Sequence, residues 1–293
     1  MIIVIVGPTG VGKTKLSIEL AKKYNAEIIN ADSMQIYKQL NIGTAKVTES
    51  EKDDIPHHLF DIANLDQTYT VYDYQRDCRK AIKEISSRGK NVILVGGTGL
   101  YIKAALFDYR FEEETTYDDF SCLTNDEIFL KVKKYEPNTT VHVNNRKRLI
   151  RMLNKYQNGS KDSKHGNKLL YDNTIFLGLT TSRDILYEKI NSRVLTMIDN
   201  GLVEEVKQVL PFKNQKALVT GIGYKEVFPY LEGTISYNDM IEQIQKNSRH
   251  YAKRQYTFFN HQLPVNWIEV DDSNFENTIS KASSIISEQQ KGI

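Results

Sequence analysis

A phosphate-binding loop occupies residues 7–14, which read GPTGVGKT and follow directly on the apolar run 1–6. In a strand–loop–helix of this kind the backbone N–H groups converge on an anion, and the following helix adds its positive dipole end. The Lys13 side chain can reach terminal phosphates, and the Thr14 hydroxyl can ligate Mg²⁺. We therefore predict a diphosphate or triphosphate site formed by Gly7, Pro8, Thr9, Gly10, Val11, Gly12, Lys13 and Thr14. The pattern does not identify the group attached to the phosphates.

Asp32 is the next candidate for chemistry, because it follows the second predicted strand, 26–30. Parallel sheets bind ligands in the crevice at the carboxyl ends of their strands, where this carboxylate would lie. There it could hold Mg²⁺ or act as a general base. A helix N-cap or an ordinary loop carboxylate is the structural alternative.

A second glycine cluster, GGTGLY at 96–101, follows the third predicted strand. Many phosphate-loop NTPases place an acidic Mg²⁺ ligand at that strand end, whereas this chain supplies glycines and the Thr98 hydroxyl. Such glycines either admit a substrate close to the backbone or make a tight turn. The missing carboxylate counts against a motor-type ATPase, and the sequence contains no Asn-Lys-x-Asp guanine-reading motif.

Two basic stretches, 146–155 and 246–254, are candidates for nucleic-acid binding. On helices each puts three cations on one face: Arg148, Arg151 and Lys155 in the first, and Lys246, Arg249 and Lys253 in the second. Aromatic residues interleave the second stretch, which suits base stacking and phosphate contact, although a solvated helix face is the simpler alternative. The pair His57-His58 has no third metal ligand spaced nearby, so we interpret it as structural or substrate-adjacent.

Alternating strands and helices must position these residues. Residues 1–110 follow strand–helix order with a capping box at Thr70 and Asp73, which is typical of a parallel sheet. Near the C-terminus, Ser236 and Asp239 predict the cap of a long helix through Met240 and Ile244. Composition changes near 111, with an acidic stretch at 112–119 and a Lys/Ser/Gly/Asn-rich stretch at 154–167. We predict an α/β fold: a P-loop NTPase-like parallel sheet with flanking helices and C-terminal helices, formed by residues 1–112 and 173–293. A mainly helical insertion, 113–172, would interrupt it.

Composition and charge bound the class of protein. A net charge of +2 is nearly neutral, so any nucleic-acid-binding surface must come from local clustering. Cys78 and Cys122 are too few for a disulfide framework and too far apart for a metal knuckle, which suits a reducing compartment. The N-terminal apolar run enters the glycine loop without a basic leader, so it is interpreted as a strand rather than a signal peptide. We predict a cytoplasmic protein with no membrane attachment.

Taken together, the ordered motifs resemble those of the tRNA dimethylallyltransferases, also called tRNA isopentenyltransferases, over nearly the whole chain. The matching segments are GPTGVGKT at 7–14, NADSMQIY at 30–37, PHHLFDI at 56–62, GGTGLYIKA at 96–104, NNRKRLIRML at 144–153, SRVLTMIDNGLVEEV at 192–206, GIGYKE at 221–226, YLEG at 230–233 and SRHYAKRQYTFF at 248–259. Each segment alone is modest, but their order and spacing make the resemblance specific.

The resemblance implies transfer of a dimethylallyl group from its diphosphate to N6 of the adenosine immediately 3′ of the anticodon, with Mg²⁺ at Thr14. It assigns catalytic roles to Asp32, as the base, and to Lys13, Thr14 and Thr98. It implies tRNA contacts by Asp32, Ser33, Met34, Gln35, Thr98, Arg148, Arg151, Gly221, Gly223, Tyr224, Lys225, Lys253 and Arg254. The implied partners are the tRNA anticodon stem-loop, gripped by the insertion, and dimethylallyl diphosphate; we expect a monomer.

The sequence departs from the family pattern at several positions. No Arg lies between Arg110 and Arg146, where the family commonly has one near the diphosphate. Residues 142–145 read HVNN where His-Pro-Asn-Asp is usual, Lys147 stands in place of Gln, and Phe258 in place of a common Trp. The alternatives are a dimethylallyltransferase acting on free adenine nucleotides, a small-molecule kinase, and a non-catalytic RNA-binding NTPase switch. A mononucleotide acceptor would need neither the insertion nor the basic C-terminal helix.

Overall fold

The computed structural model describes residues 1–111, 118–157 and 167–291. Within them, a six-stranded parallel sheet has the strand order β3-β2-β4-β1-β5-β6. The strands are β1 (Ile2–Val6), β2 (Ala26–Asn30), β3 (His57–His58), β4 (Asn91–Val95), β5 (Thr174–Thr180) and β6 (Asn266–Glu269). The central strand β1 pairs with β4 on one side and β5 on the other, so the loop that follows it lies in the middle of the carboxyl edge.

The helices, in chain order, are α1 (Lys13–Lys23), α2 (Glu49–Lys52), α3 (Val71–Ser87), α4 (Gly99–Leu106), α5 (Asn125–Tyr135), α6 (Arg146–Gln157), α7 (Arg183–Asp199), α8 (Leu202–Gln208), α9 (Lys216–Thr220), α10 (Val227–Leu231), α11 (Tyr237–Gln262) and α12 (Phe275–Lys291). A short 3₁₀ turn, Leu210–Phe212, follows α8. None of the helices in the described part of the chain is long and apolar enough to span a membrane.

Both faces of the sheet are covered, which is why β1 is apolar at every position. Val4 and Val6 pack with α3 and α4, whereas Ile3 and Ile5 pack with α1 and α12. Each such fully buried side chain contributes about 1.5–3 kcal/mol relative to leaving it exposed. The predicted α/β class with a phosphate-loop parallel sheet is therefore confirmed, and the carboxyl edge of the sheet is held rigidly for the site.

The chain divides into two compact units, Met1–Phe107 with Leu169–Ile293, and Asp108–Lys168. The second unit has its own small core, in which Ile128 and Val132 of α5 pack with Leu149 and Leu153 of α6. It begins at Asp108 rather than 113 and ends at Lys168 rather than 172, because a backbone bridge between Phe107 and Leu169 returns the chain to the first unit. Parts of the predicted insertion, 113–117 and 158–166, lie outside the described residues.

Local sequence signals located several elements correctly. Capping boxes at Thr70 and Ser236 begin α3 and α11, as predicted. Several elements were not predicted, and β3 and α12 show why. Strand β3 has only two residues, and α12 buries Thr278 and Ser283 beside its apolar positions, which weakens the helical pattern of apolar residues.

Candidate active site

The phosphate-binding loop lies between β1 and α1. Gly10 and Gly12 adopt φ angles of 82° and 98°, a left-handed conformation that glycine reaches without strain. The Lys13 ammonium donates hydrogen bonds to the carbonyls of Gly7 (3.0 Å) and Pro8 (2.7 Å). Burial, together with the nearby Arg193 charge, lowers the pKa of Lys13 to about 7, with the Asp32 charge partly opposing them. The protonation of Lys13 therefore depends on whether an anion is bound at the loop.

Asp32 follows β2, and the side chain of Asn30 holds it in place. The Asn30 amide accepts a hydrogen bond from Asp32 N (2.8 Å) and donates to the carbonyls of Asp32 (3.0 Å) and Leu59 (3.0 Å). Asp32 Oδ1 accepts from Met34 N (3.0 Å). A Cβ on Gly97 would lie 3.5 Å from Asp32 Oδ2, so the end of β4 closely approaches the carboxylate. One carboxylate oxygen thus fixes the turn, while the other faces the neighbouring strand end.

Replacing Asn30 should therefore loosen the Asp32 turn. Asn30 is 1% exposed, so Asn30→Ala leaves buried backbone groups without partners and should cost about 1–3 kcal/mol of unfolding free energy. Urea denaturation measures the loss, with Asn200→Ala at the exposed end of α7 as the matched control. Equal stabilities of the two variants would contradict the tethering role.

Gln255 and Thr98 connect the three loops at the carboxyl edge of the sheet. Gln255 accepts from Thr9 N (3.2 Å) and donates to the Gly97 carbonyl (3.0 Å), so α11 ties the phosphate loop to the end of β4. Thr98 Oγ1 accepts from Ser33 N (3.0 Å) and donates to Ser33 Oγ (3.2 Å), which ties β4 to the segment after β2. The ends of β1, β2 and β4 are thereby held in register.

Two adjoining cavities open at this edge, with volumes of about 780 Å³ and 300 Å³. The larger is lined by phosphate-loop residues, including Lys13 and Thr14, and the smaller by Ser33, Met34 and the segment 220–224. Five residues line both cavities: Thr9, Asp32, Thr44, Arg193 and Tyr251. A group bound at the phosphate loop and a second molecule in the smaller cavity would therefore meet beside Asp32.

Arg193 is a candidate functional residue to which the sequence reasoning gave no role. It lies on α7, its Nε is buried, and that atom has no hydrogen-bond partner among the residues that the structure describes. Burial lowers the pKa of Arg193, and the Asp32 charge partly opposes this. The sequence signal was an arginine three residues after buried Ile190, on the apolar face of the helix. Because the guanidinium lines both cavities, it suits an anionic ligand there.

Tyr251 is one of the aromatic residues in the second basic stretch, but it was not named among the predicted site residues. Its hydroxyl donates to the Gly97 carbonyl (3.4 Å), and burial raises its pKa, with the Asp32 charge adding to the effect. The phenol therefore stays protonated at the junction of the two cavities.

The residues predicted to contact tRNA occupy several different environments. Ser33, Met34, Gly221, Gly223 and Arg254 line the smaller cavity. Gln35 lines the larger one, and its amide donates to the Thr44 carbonyl. Lys253 is exposed on α11, and Lys225 Nζ lies 3.7 Å from Glu226 Oε1. Arg148 and Arg151 are exposed on α6, in the second compact unit.

Tyr224 lies deeper than the other predicted tRNA contacts. Its side chain is 0% exposed and its hydroxyl donates to Glu205 (2.6 Å). The segment 220–224 to which it belongs lines the smaller cavity, so its ring packs behind the cavity wall and its contact with tRNA stays a prediction.

The histidine pair forms β3 at the edge of the sheet. His58 Nε2 lies 2.7 Å from the carboxylate of Glu27, which is buried and also pairs with Arg88 and Lys90. His57 lines the larger cavity. The structure thus gives His58 a structural environment and places His57 beside the site.

Few side chains near the phosphate loop could bind a metal ion. No group of three His, Cys, Asp or Glu side chains in the described ranges could hold a metal by itself. Thr14 is exposed at the start of α1, and the carboxylates of Asp32 and Glu51 line the same cavity. Mg²⁺ typically keeps several waters and binds through substrate phosphates with one or two protein oxygens, so this donor set fits it.

A phosphate loop joined to a second cavity is typical of an enzyme that transfers a group from a phosphorylated donor to a separate acceptor. The family model described as "IPP transferase" matches residues 35–262. The tRNA dimethylallyltransferase of Anoxybacillus flavithermus is 43% identical over 96% of this chain and 94% of its own length. The chain therefore belongs to the IPP transferase family.

Solved structures agree with this assignment. The tRNA Δ(2)-isopentenylpyrophosphate transferase of Staphylococcus epidermidis superposes with a TM-score of 0.76 at 37% identity, covering 98% of this chain and 99% of that one. A eukaryotic dimethylallyltransferase acting on tRNA superposes with a TM-score of 0.83 at 30% identity, over 99% of this chain and 79% of that one. The resemblance stated from the motifs is confirmed.

Proposed function

We propose that this chain transfers the dimethylallyl group of dimethylallyl diphosphate to N6 of the adenosine immediately 3′ of the anticodon in tRNA, releasing pyrophosphate. The observation that carries the proposal is the junction of the two cavities, where Asp32 faces both the phosphate-loop side and the side lined by Ser33 and Met34. The names of its relatives supply the dimethylallyl group and tRNA, and the position of the acceptor, N6 of the adenosine 3′ of the anticodon, is what the motif resemblance implies.

The chemistry follows from this placement. The bond between the first prenyl carbon and the diphosphate oxygen breaks, and the adenine nitrogen bonds to that carbon. The exocyclic amine is a weak nucleophile because its lone pair is delocalised into the ring, so a base that takes its proton assists the attack. Asp32 is that base. The electrons of the broken bond leave with pyrophosphate, whose charge Lys13, Arg193 and the loop N–H groups stabilise.

The acceptor base must leave its stack to reach the junction, as in other enzymes that modify bases. Ser33, Met34, Gly221, Gly223 and Arg254 surround the smaller cavity, which is the pocket we assign to that base. Thr98 acts indirectly, because its hydroxyl accepts a hydrogen bond from Ser33 N and so holds Ser33 in position. Mg²⁺ at Thr14 would neutralise charge on the departing pyrophosphate. We place the protein in the cytoplasm as a monomer that binds the anticodon stem-loop, with Arg148, Arg151, Lys225 and Lys253 as further tRNA contacts.

Diphosphate binding should be linked to proton uptake through Lys13. In the free site its pKa is about 7, and a bound diphosphate raises it, so above pH 7 binding must add a proton. The affinity for pyrophosphate should therefore fall by at most about tenfold for each pH unit above pH 7. Calorimetry of pyrophosphate binding at pH 8 in buffers of different ionisation enthalpy measures the uptake. Lys13→Met is the control, because any proton uptake that remains in this variant comes from pyrophosphate and not from Lys13. Equal proton uptake by both proteins would refute the linkage.

Arg148 and Arg151 should contribute to tRNA affinity through phosphate contacts. If both contact phosphates, changing them together to Gln weakens binding and reduces the slope of log K against log salt by about one to two. The matched control changes Lys131 and Lys134 to Gln. Both lysines are exposed on α5 of the same unit, and their substitution removes the same amount of positive charge. A salt slope that falls equally in both variants would place the arginines on an ordinary solvated face.

The proposed reaction is tested by offering acceptors in parallel. Purified protein, Mg²⁺ and dimethylallyl diphosphate are incubated with unmodified tRNA or with AMP, and nucleosides are identified by mass spectrometry. We expect prenylated adenosine from tRNA and none from AMP. Prenylated AMP would instead indicate the free-nucleotide reaction, and phosphorylation by ATP would indicate a kinase.

A further inference from the structure

Glu205 of α8 is a buried carboxylate whose hydrogen bonds all go to one corner of the site. It is 8% exposed. Its Oε2 accepts from the backbone N–H groups of Asn41 (3.0 Å) and Ile42 (2.8 Å). Its Oε1 accepts from the N–H of Gly43 (3.0 Å) and from the hydroxyl of Tyr224 (2.6 Å). Three consecutive N–H groups and a phenol thus share one carboxylate, a charged acceptor that binds each donor more strongly than an amide would.

The loop held in this way continues directly into the cavity wall. Thr44, the next residue, lines both cavities. The Gln35 amide donates to the carbonyls of Thr44 (3.0 Å) and Ala45 (3.4 Å), which extends the same tether.

On its other side, the loop packs tightly against Tyr224. A Cβ on Gly43 would lie 2.6 Å from Tyr224 Cζ, so no larger residue fits between the loop and the ring. The segment 220–224 that carries this ring also lines the smaller cavity. The loop and that segment are therefore fixed relative to each other at the carboxylate.

We propose that Glu205 is a positioning residue for the transfer reaction: it locks the loop 41–45 against the segment 220–224 and so sets the shape of the cavity that receives the acceptor base. This inference rests on the proposed function for its effect on catalysis. The phosphate loop makes none of these four hydrogen bonds, so removing them leaves the loop 7–14 itself unchanged, even though Thr44 borders both cavities.

An amide cannot replace the carboxylate at this position. If the oxygen of Glu205→Gln faces Gly43 and Tyr224, its NH₂ group opposes the N–H groups of Asn41 and Ile42. If the side chain flips, the NH₂ group opposes the N–H of Gly43. At least one backbone donor loses its acceptor in either orientation, although the volume is unchanged. Tyr224→Phe is the milder variant, because it removes one donor and leaves the three N–H contacts.

The test compares Glu205→Gln with Glu204→Gln, the neighbouring exposed glutamate whose partner is Lys207. Amide hydrogen exchange reports on the loop directly: we expect peptide 41–45 to exchange about tenfold or more faster in Glu205→Gln, with peptide 2–6 of β1 unchanged. Pyrophosphate affinity should stay within about twofold of wild type, since the phosphate loop is untouched. The single-turnover rate constant for prenylation of tRNA should fall about tenfold or more, and Tyr224→Phe should show smaller changes of the same kind.

The outcomes separate positioning from simple stability. A purely structural Glu205 would lower the amplitude of the single turnover, as unfolded protein is lost, while the rate constant and the loop exchange stayed at wild-type values; that result would overturn the proposal. Faster loop exchange with an unchanged rate constant would overturn it too. If wild-type protein binds pyrophosphate but prenylates no tRNA, the proposed function fails, and the exchange result alone decides whether Glu205 holds the loop.

Discussion

Asp32→Asn is expected to slow prenyl transfer about 10²–10⁴-fold, the range that a positioned general base contributes. Asparagine keeps the size of the side chain and can still accept from Met34 N, so the Asx turn after β2 survives. Its amide cannot take a proton from the adenine amine. Because the phosphate loop, Lys13 and Arg193 are the groups proposed to hold the diphosphate, affinity for metal-free pyrophosphate should remain close to that of the wild type, and tRNA should still bind.

The rate is measured in single turnover with saturating donor and tRNA, so that binding changes do not enter. Asp66→Asn, at an exposed loop position, is the control for removal of one negative charge. A wild-type rate constant in Asp32→Asn would rule out the base assignment. A loss shared equally by Asp66→Asn would trace the effect to net charge instead.

Arg193→Gln is expected to have the second largest effect, about 10²–10³-fold on the rate constant, as for other preorganised groups that stabilise charge in a transition state. Arg193 lies in the wall of both cavities, so its guanidinium can stabilise the negative charge that develops on the departing diphosphate. The same variant should raise the pKa of Lys13 above about 7, because the Arg193 charge is one of the two factors that lower it.

Two measurements check this prediction. Single-turnover kinetics give the rate, and the pH dependence of pyrophosphate binding should shift to higher pH in Arg193→Gln. Arg183→Gln is the matched control, since Arg183 lies at the exposed start of the same helix over the ring of Tyr187. An unshifted pH dependence would mean that Arg193 does not act on the phosphate side of the junction.

The sequence predicted the parts of the site whose chemistry is local. The phosphate loop, Asp32 and Thr98 each stand directly after a buried strand, and parallel strands bring their carboxyl ends to one edge. Their proximity could therefore be inferred without coordinates. The long helix α11 was also located, from its capping box and its apolar spacing.

The residues that were missed act across long sequence separations. Gln255 contacts Thr9 from 246 positions away, and no local pattern distinguishes it from the polar residues that surround it on α11. Arg193 did carry a signal, as a cation on an apolar helix face. Glu205 carried none, because a glutamate in a sequence such as LVEEVKQ is ordinarily solvated. Tyr224 was named a tRNA contact from the family resemblance, and the motif does not show that its hydroxyl has a buried partner on α8.

The most direct test of the account measures both products of one reaction. Wild-type protein is incubated with Mg²⁺, dimethylallyl diphosphate and unmodified tRNA; released pyrophosphate is quantified and the prenylated nucleotide is located by nuclease digestion and mass spectrometry. The account predicts one pyrophosphate for each prenylated adenosine, with the modification immediately 3′ of the anticodon and no release when tRNA is omitted. Pyrophosphate released at the same rate without tRNA, or prenylation spread over other adenosines, would contradict the meeting of donor and acceptor at Asp32.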